Sequence, residues 1–190
     1  MPPRTRISED MIVNAALDII RQSGEECLNA RTLARKLNCS TQPIMYHFST
    51  IEQLKNKVYA QADHYHTEWL MRPSDQHDPL MQIGLNYIRF AAEQPNLFRF
   101  LFQSGYVREK NIREMIDSPE LLPVLSAMQQ GLQLSMEKTR EVFLTVALFT
   151  HGYASIIANN ALAYDEALAA AHLERVFTGA MMAAKEEEMP

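Results

Sequence analysis

Residues 29–48, NARTLARKLNCSTQPIMYHF, decide the fold, because they predict two short helices joined by a tight turn. We expect the first helix over residues 30–37 and the second over residues 41–48. Asn29 and Ser40 precede these segments, and both residue types are favoured helix N-caps. The break between the two helices is so short that they must form an angled helix–turn–helix.

The second helix is predicted to have one buried and one exposed face. Ile44 and Phe48 lie four residues apart and share the apolar face. Gln42 and Tyr46 share the opposite face, so polar side chains point outward, as the reading of base edges in a major groove requires. The residues that flank this exposed face are Thr41, Pro43, Met45 and His47.

Each polar residue of this face has a specific expected role. Gln42 can form two hydrogen bonds with an adenine edge, whereas Thr41 and Tyr46 are better suited to phosphates. The alternative is that all three are simply exposed polar residues on a short helix. Because Pro43 has no N–H, a capping bond from the Ser40 side chain would go to the Gln42 N–H.

A basic arm precedes the first helix of the chain. Arg4 and Arg6 stand in the proline-containing segment MPPRTR, just before Ser8, the predicted cap of helix 1. Such an arm suits contacts with phosphate or with a minor groove. A solvated tail is the alternative interpretation.

Composition favours an all-α fold in a chain of 190 residues. Six Gly and nine Pro are few helix breakers, and no long stretch alternates apolar and polar residues as a strand does. The net charge is −5, but residues 1–57 carry eight Lys and Arg against six Asp and Glu. The remaining residues are more acidic, so the two parts are expected to have different partners.

The charge change and the helix pattern predict two domains. We expect an N-terminal three-helix helix–turn–helix domain over residues 1–50 and a larger helical ligand-binding and dimerisation domain over residues 51–190. A long helix over residues 51–70 would begin the second domain without any linker. A rigid helix in that position could convert strain in one domain into displacement of the other.

Two apolar, Ala-rich segments near the C-terminus predict a dimerisation hairpin. They span residues 138–163 and 166–184, with a break at Tyr164 and Asp165. Two such helices bury all their apolar surface if one faces the domain core and the other faces a partner, which gives a four-helix bundle between two copies. An internal hairpin of a monomer is the alternative.

Large rings in the second part of the chain are candidates for lining a pocket for a small apolar or aromatic ligand. Aromatic and Met residues at helical spacing more often form core, so a core role is the alternative for each residue. The candidates are Trp69, Tyr87, Phe90, Phe98, Phe102, Met128, His151 and Tyr153.

The sequence lacks the motifs of the main rival classes. It has no Glu-x-x-His pair for a di-iron bundle, no nucleotide loop, no nucleophile elbow and no metal-type cysteine spacing. We therefore expect no enzyme activity, no cofactor and no bound metal. With no long apolar run and no apolar leader segment, a cytoplasmic protein without a membrane partner is expected.

The N-terminal region resembles the TetR family of bacterial transcriptional regulators over about residues 7–60. The matching features are Gly24, Leu33-Ala34, Ser40, Ile44, Tyr46-His47-Phe48 and Leu54. By position, the resemblance implies that Arg31, Thr41, Gln42, Pro43, Tyr46 and His47 face DNA. The chain has Met45 where the family usually has Tyr and Ile51 where a phosphate-binding Lys is usual, and Lys55 or Lys57 could replace that Lys.

The resemblance implies a homodimeric repressor that binds double-stranded DNA at a palindromic operator and is released by a small-molecule effector. His47 could contact phosphate or help to pack the helix. The alternative function is a helical dimeric protein- or ligand-binding module that has lost specific DNA binding. Such a module would show no salt-dependent affinity for DNA.

Overall fold

The computed structural model describes residues 7–74, 77–106 and 111–186. Every regular element in those ranges is helical, so the predicted all-α fold is confirmed. Short 3-10 turns occupy Glu25–Cys27 and Pro119–Leu121. The α-helices are α1 (Glu9–Ser23), α2 (Ala30–Lys36), α3 (Thr41–His47), α4 (Ile51–Leu70), α5 (Pro79–Glu93), α6 (Pro95–Phe102), α7 (Ile112–Ile116), α8 (Leu122–Leu132), α9 (Met136–Asn160) and α10 (Glu166–Glu186).

Contacts divide the described residues into two compact units. Unit 1 contains α1 to α3, α4 as far as Glu68, and α6, whereas unit 2 contains the end of α4, α5 and α7 to α10. This division differs from the boundary predicted after residue 50. The reason is that α4 is tied to unit 1 by long-range bonds: the Tyr59 hydroxyl donates to the Leu101 carbonyl at 3.1 Å, and Gln61 Nε2 donates to Asn14 Oδ1 at 2.6 Å.

Unit 1 is built on the apolar residues that helical spacing predicted. Ser8 caps α1 by accepting a hydrogen bond from the Met11 N–H at 3.2 Å, and Gly24, with φ of 90°, ends the helix. The helix α6 adds several rings and Leu side chains to this core. Fully buried side chains of unit 1 include Ile12, Ala16, Ile20, Leu33, Ile44, Leu54, Val58, Leu97 and Phe98.

Unit 2 is organised around α5, α9 and α10, which pack against one another. Leu85, Ile88 and Phe90 of α5 are fully buried, and they form the apolar side of that helix. A second group of buried residues joins α8, α9 and α10 and includes Met128 and Val142. The long C-terminal helices therefore have one side in the core of their own unit.

The bounds of the C-terminal helices differ slightly from residues 138–163 and 166–184. Ala161 adopts a left-handed conformation with φ of 51°, which ends α9 at Asn160. Asp165 Oδ1 then accepts from the Leu168 N–H at 3.0 Å and caps α10. By length and composition, α9 is the helix of the described residues that could cross a membrane, and 28% of the residues in its apolar window are buried.

Candidate nucleic-acid interface and ligand pocket

The short helix α3 is held in place by its two apolar residues. The Ile44 side chain is fully buried and Phe48 is nearly so. The opposite face is open to solvent, where Thr41, Gln42 and Met45 are exposed and Tyr46 is 80% exposed. The predicted division of α3 into a packed face and an outward polar face is therefore present. Pro43 is half-buried between the two faces.

The turn and caps around α2 fix the angle at which α3 leaves it. Asn29 Oδ1 accepts from the Arg31 and Thr32 N–H groups at 3.0 Å each, and the Thr32 hydroxyl oxygen accepts from the Asn29 N–H at 3.1 Å. This reciprocal capping box holds the first turn of α2, from which the exposed Arg31 side chain projects. Asn38, with φ of 50°, makes the turn, since Asn tolerates this left-handed conformation better than most residues.

Ser40 departs from the sequence expectation. It precedes α3 in an extended conformation, but its side chain makes no capping hydrogen bond. The Ser40 side chain therefore does not bond the Gln42 N–H, the donor to which a capping bond would have gone. Because only Cys39 and Ser40 separate the turn at Asn38 from α3, the orientation of α3 depends on that turn and on the packing of Ile44 rather than on a capping side chain.

His47 is bonded within unit 1 rather than pointing freely outward. Its Nε2 lies 3.1 Å from the Ile7 carbonyl oxygen, and because a carbonyl only accepts, Nε2 must donate. Its ring also meets the Tyr46 ring edge to face at 5.4 Å. The bond ties the C-terminal end of α3 to the residue that follows the basic arm. Arg4 and Arg6 themselves lie outside the described residues.

The two lysines considered as replacements for the family Lys are both paired. Lys55 Nζ lies 2.7 Å from Glu25 Oε1, and both side chains are largely shielded from solvent. Lys57 Nζ lies 3.0 Å from Glu9 Oε1 in a more exposed pair. A phosphate would have to compete with these carboxylates for either lysine.

The other Lys and Arg side chains of unit 1 differ in whether they pair with a carboxylate. Lys36 and Arg21 both approach Asp18, at 3.4 Å and 3.6 Å. Arg31 and Arg35 are exposed on α2 and have no ion pair among the described residues. The sequence analysis named Arg31 as a candidate but not Arg35. The sign that could have found Arg35 is its position four residues after Arg31, on the same exposed face of α2.

The aromatic candidates for a ligand pocket divide between the two units. Phe98 and Phe102 lie on α6 in unit 1, where Phe98 is fully buried and Phe102 meets the His66 ring at 5.1 Å. The other six belong to unit 2, and three of them, Trp69, Phe90 and Met128, are buried core residues. The eight candidates are therefore divided between two compact units.

Tyr87 and His151 are hydrogen-bonded to each other. The Tyr87 hydroxyl lies 2.8 Å from His151 Nδ1, and the Ser155 hydroxyl lies 3.4 Å from His151 Nε2. Burial raises the pKa of Tyr87 and lowers the pKa of His151, so both groups are held neutral. The His151 ring is therefore hydrogen-bonded within unit 2 at a half-buried site, and its contact with a ligand stays a prediction. Tyr153 packs beside Phe149 at 5.9 Å.

A pocket of about 370 Å³ lies within unit 2, and its walls are polar rather than aromatic. Trp69 is the one sequence-predicted candidate that lines it. The predicted apolar lining is therefore not what this pocket has. The sequence analysis did not predict the polar residues of this lining. A Gln or Asn on a mostly apolar helix gives no indication in the sequence that its side chain faces a pocket. The polar residues include Arg72, Gln82, Asn86, Arg89, Glu93 and Glu166.

Comparison with known proteins identifies the fold. No family model matches the chain, and no curated protein matches it. Among solved structures, a member of the TetR family from Streptomyces coelicolor A3 is similar, with a TM-score of 0.56 and 19% sequence identity. The similarity covers 92% of this chain and 98% of that one. The protein therefore has a TetR-like, all-helical fold along nearly its whole length.

Proposed function

We propose that this protein is a non-enzymatic, TetR-like transcriptional regulator of the cytoplasm that binds a palindromic operator as a homodimer and acts as a repressor. The observation that carries the proposal is the geometry of α3. Two apolar residues, Ile44 and Phe48, anchor the helix, and the side chains capable of base and phosphate contacts are left exposed. A helix of this kind at the end of a helix–turn–helix suits a major groove.

The DNA contacts follow from what each exposed side chain can do. Gln42 reads an adenine edge, because its amide offers a donor and an acceptor side by side. Thr41, Tyr46 and the exposed Arg31 bind phosphates and set the register of α3. Two copies of α3, one from each subunit, would enter successive major grooves about 34 Å apart on one face of the DNA.

Dimerisation is proposed through α9 and α10, because both helices expose apolar residues at helical spacing. Leu148, Gly152 and Ile156 follow one another at four-residue steps on α9, with Leu148 50% and Ile156 58% exposed. On α10, Leu168 and Met182 are similarly exposed. Beyond its chain neighbours and the backbone of α9 itself, no atom of the described residues lies within 4 Å of where a Gly152 Cβ would stand, so a partner helix could approach closely. A four-helix bundle between two copies would cover these residues.

Release from DNA is proposed to follow binding of a small molecule in unit 2. A coupling of about 1–3 kcal/mol between effector and operator would weaken DNA affinity roughly 5–150-fold. The apolar or aromatic effector expected from the sequence stays a prediction.

Selection from random DNA duplexes tests the proposal directly. The purified protein should enrich a palindromic site, and its affinity for that site should fall steeply as salt rises, because phosphate contacts release counterions. No enrichment would contradict it and favour the second candidate, a dimeric binding module without specific DNA affinity. The pairing of Lys55 with Glu25 and of Lys57 with Glu9 is the observation that favours this second candidate.

A further inference from the structure

We infer that the polar pocket of unit 2 is a binding site for a small carboxylate that also carries an N–H or O–H donor, the chemistry of an amino acid or a hydroxy acid. The pocket lies beside the end of α4, the middle and end of α5, and the first residue of α10. Its volume, about 370 Å³, falls at the lower end of the range for small-molecule sites.

The floor of the pocket contains a hydrogen-bond acceptor whose direction is set by the backbone. Asn86 Nδ2 donates to the carbonyl oxygens of Leu70 and Arg72, at 3.0 Å and 2.9 Å. These two bonds fix the Asn86 amide, so its Oδ1 must accept from Gln82 Nε2, at 2.9 Å. Gln82 is thereby oriented with its nitrogen toward Asn86 and its oxygen away from it.

The Gln82 oxygen is then left without a partner. Gln82 is only 5% exposed, and its Oε1 has no hydrogen bond among the described residues. A buried amide oxygen without a partner costs about 1–3 kcal/mol, and a ligand that supplies an N–H or O–H would recover much of that. Gln82 lines the pocket, so the inference places the missing donor on a ligand bound there. Oε1 has almost no accessible surface in the empty pocket, so the side chain has to turn toward that ligand to form the bond.

The rim of the pocket offers a cation for a carboxylate. The Arg72 guanidinium carbon lies 3.8 Å from the centre of the Trp69 ring, so the guanidinium is stacked on the indole. No carboxylate of a described residue pairs with Arg72, whereas Arg89, on the same pocket wall, is bonded to Glu166. Arg72 is therefore the cation still available to bind a carboxylate in two places.

Binding at this pocket does not require DNA binding, but the role of the ligand as an effector rests on the function proposed above. The two are separable by experiment. Ligand binding can be measured on the purified protein alone, and operator binding can be measured without any ligand.

Trp69 is the one tryptophan in the chain and it lines the pocket, so tryptophan fluorescence reports on this pocket. Its fluorescence would be titrated with the twenty amino acids and with lactate, malate and citrate, on the full-length protein. We expect saturable quenching or a spectral shift with at least one of them. Two matched controls are the amide of that compound, which lacks the carboxylate, and its analogue without the amino or hydroxyl donor. Each should bind at least about tenfold more weakly.

Two variants test the roles of Arg72 and Gln82 in binding the ligand. Arg72→Gln should weaken the carboxylate ligand at least about tenfold, and Gln82→Met should remove the preference for the donor-bearing compound over its donor-free analogue. Arg35→Gln, an exposed arginine of unit 1, should leave the titration unchanged. Circular dichroism melts would verify that both pocket variants are folded.

Three results would overturn the inference: no saturable response to any compound, equal binding of the control analogues, or unchanged affinity in folded Arg72→Gln. Equal binding of the analogues would favour the apolar ligand instead. Because none of these measurements involves DNA, a failed operator selection would leave the pocket result standing.

Discussion

His47 Nε2 donates a hydrogen bond to the Ile7 carbonyl oxygen across 3.1 Å, which joins the end of α3 to the residue before Ser8, the cap of α1. Ile7 follows directly after the segment that carries Arg4 and Arg6, so the bond holds the residue to which the proposed DNA-binding arm is joined. His47→Phe should keep a ring in this half-buried site but lose the bond, at a cost of about 0.5–1.5 kcal/mol of stability. Operator affinity should fall if the arm contacts DNA.

A double-mutant cycle identifies the cause of that fall. Arg4→Ala with Arg6→Ala should weaken operator binding in the wild-type protein and have a smaller effect when His47 is already Phe. Additive effects on affinity would show that His47 acts without the arm.

Gln42→Ala should reduce affinity for the selected operator by about 1–3 kcal/mol, because one bidentate base contact is lost. Affinity for a scrambled duplex should not change. Gel-shift titrations with both duplexes measure the difference, and Gln130→Ala, an exposed glutamine on α8, is the matched control. Equal losses on the two duplexes would mean that Gln42 does not read sequence.

The Lys55–Glu25 pair predicts different effects on the salt dependence of DNA binding when each member is replaced. Lys55→Gln should leave the salt dependence of DNA binding unchanged, because the lysine is already neutralised. Glu25→Gln should release Lys55 and steepen the slope of log K against log salt by about 0.9, the value for one more phosphate contact. Glu26→Gln removes the same charge from the neighbouring exposed residue and serves as control. A shallower slope in Lys55→Gln would show that phosphate displaces Glu25.

Ile156→Glu should convert the protein to a monomer, because a carboxylate would replace a 58%-exposed apolar side chain of the proposed dimer face. Leu122→Glu places the same charge at a similarly exposed apolar residue of α8 and should leave the dimer intact. Sedimentation equilibrium distinguishes the two states. A wild-type monomer at micromolar concentration, or a dimeric Ile156→Glu variant, would rule out this face.

The buried His66 predicts a loss of stability in acid. Burial lowers its pKa from 6.5 to about 4, so the folded state resists a proton that the unfolded state accepts. The contribution of the neutral His66 to the free energy of unfolding is fully present above about pH 6.5. It should fall by roughly 3 kcal/mol as the pH drops toward 4. Urea titrations at several pH values measure it.

Replacement of the two histidines of α4 separates this effect from general acid unfolding. His66→Leu should flatten the pH dependence of the free energy of unfolding between pH 6.5 and 4. His64→Leu should not, because His64 is exposed beside Glu68 on the same helix. An unchanged pH dependence in His66→Leu would contradict the assignment.

Local signals predicted the helices well, because caps and periodicity act within a few residues. The helix expected over residues 51–70 is found at Ile51–Leu70, and Asn29 caps α2 as expected. Contacts between distant residues had no comparable signal. The pairing of Lys55 with Glu25 and the bond from Tyr59 to Leu101 join residues 30 and 42 positions apart, and they move α4 into unit 1.

The polar pocket of unit 2 could not be predicted from the sequence, because it too depends on contacts between distant residues. Its chemistry depends on the direction of the Gln82 amide, which Asn86 sets through the Leu70 and Arg72 carbonyls. Amide directions of this kind follow from tertiary geometry. Aromatic content therefore gave no sign of the polar side chains that line this pocket, and the apolar ligand expected from the rings stays a prediction.

If Leu148, Gly152 and Ile156 of α9 form the proposed dimer face, the folding equilibrium depends on how many copies of the protein are present. If Leu148 and Ile156 are covered only by a second chain, mass action links dimer assembly to unfolding. The melting temperature would then rise with protein concentration, and a cell with few copies would hold a larger unfolded fraction open to proteases. Abundance itself would set the lifetime of the molecule.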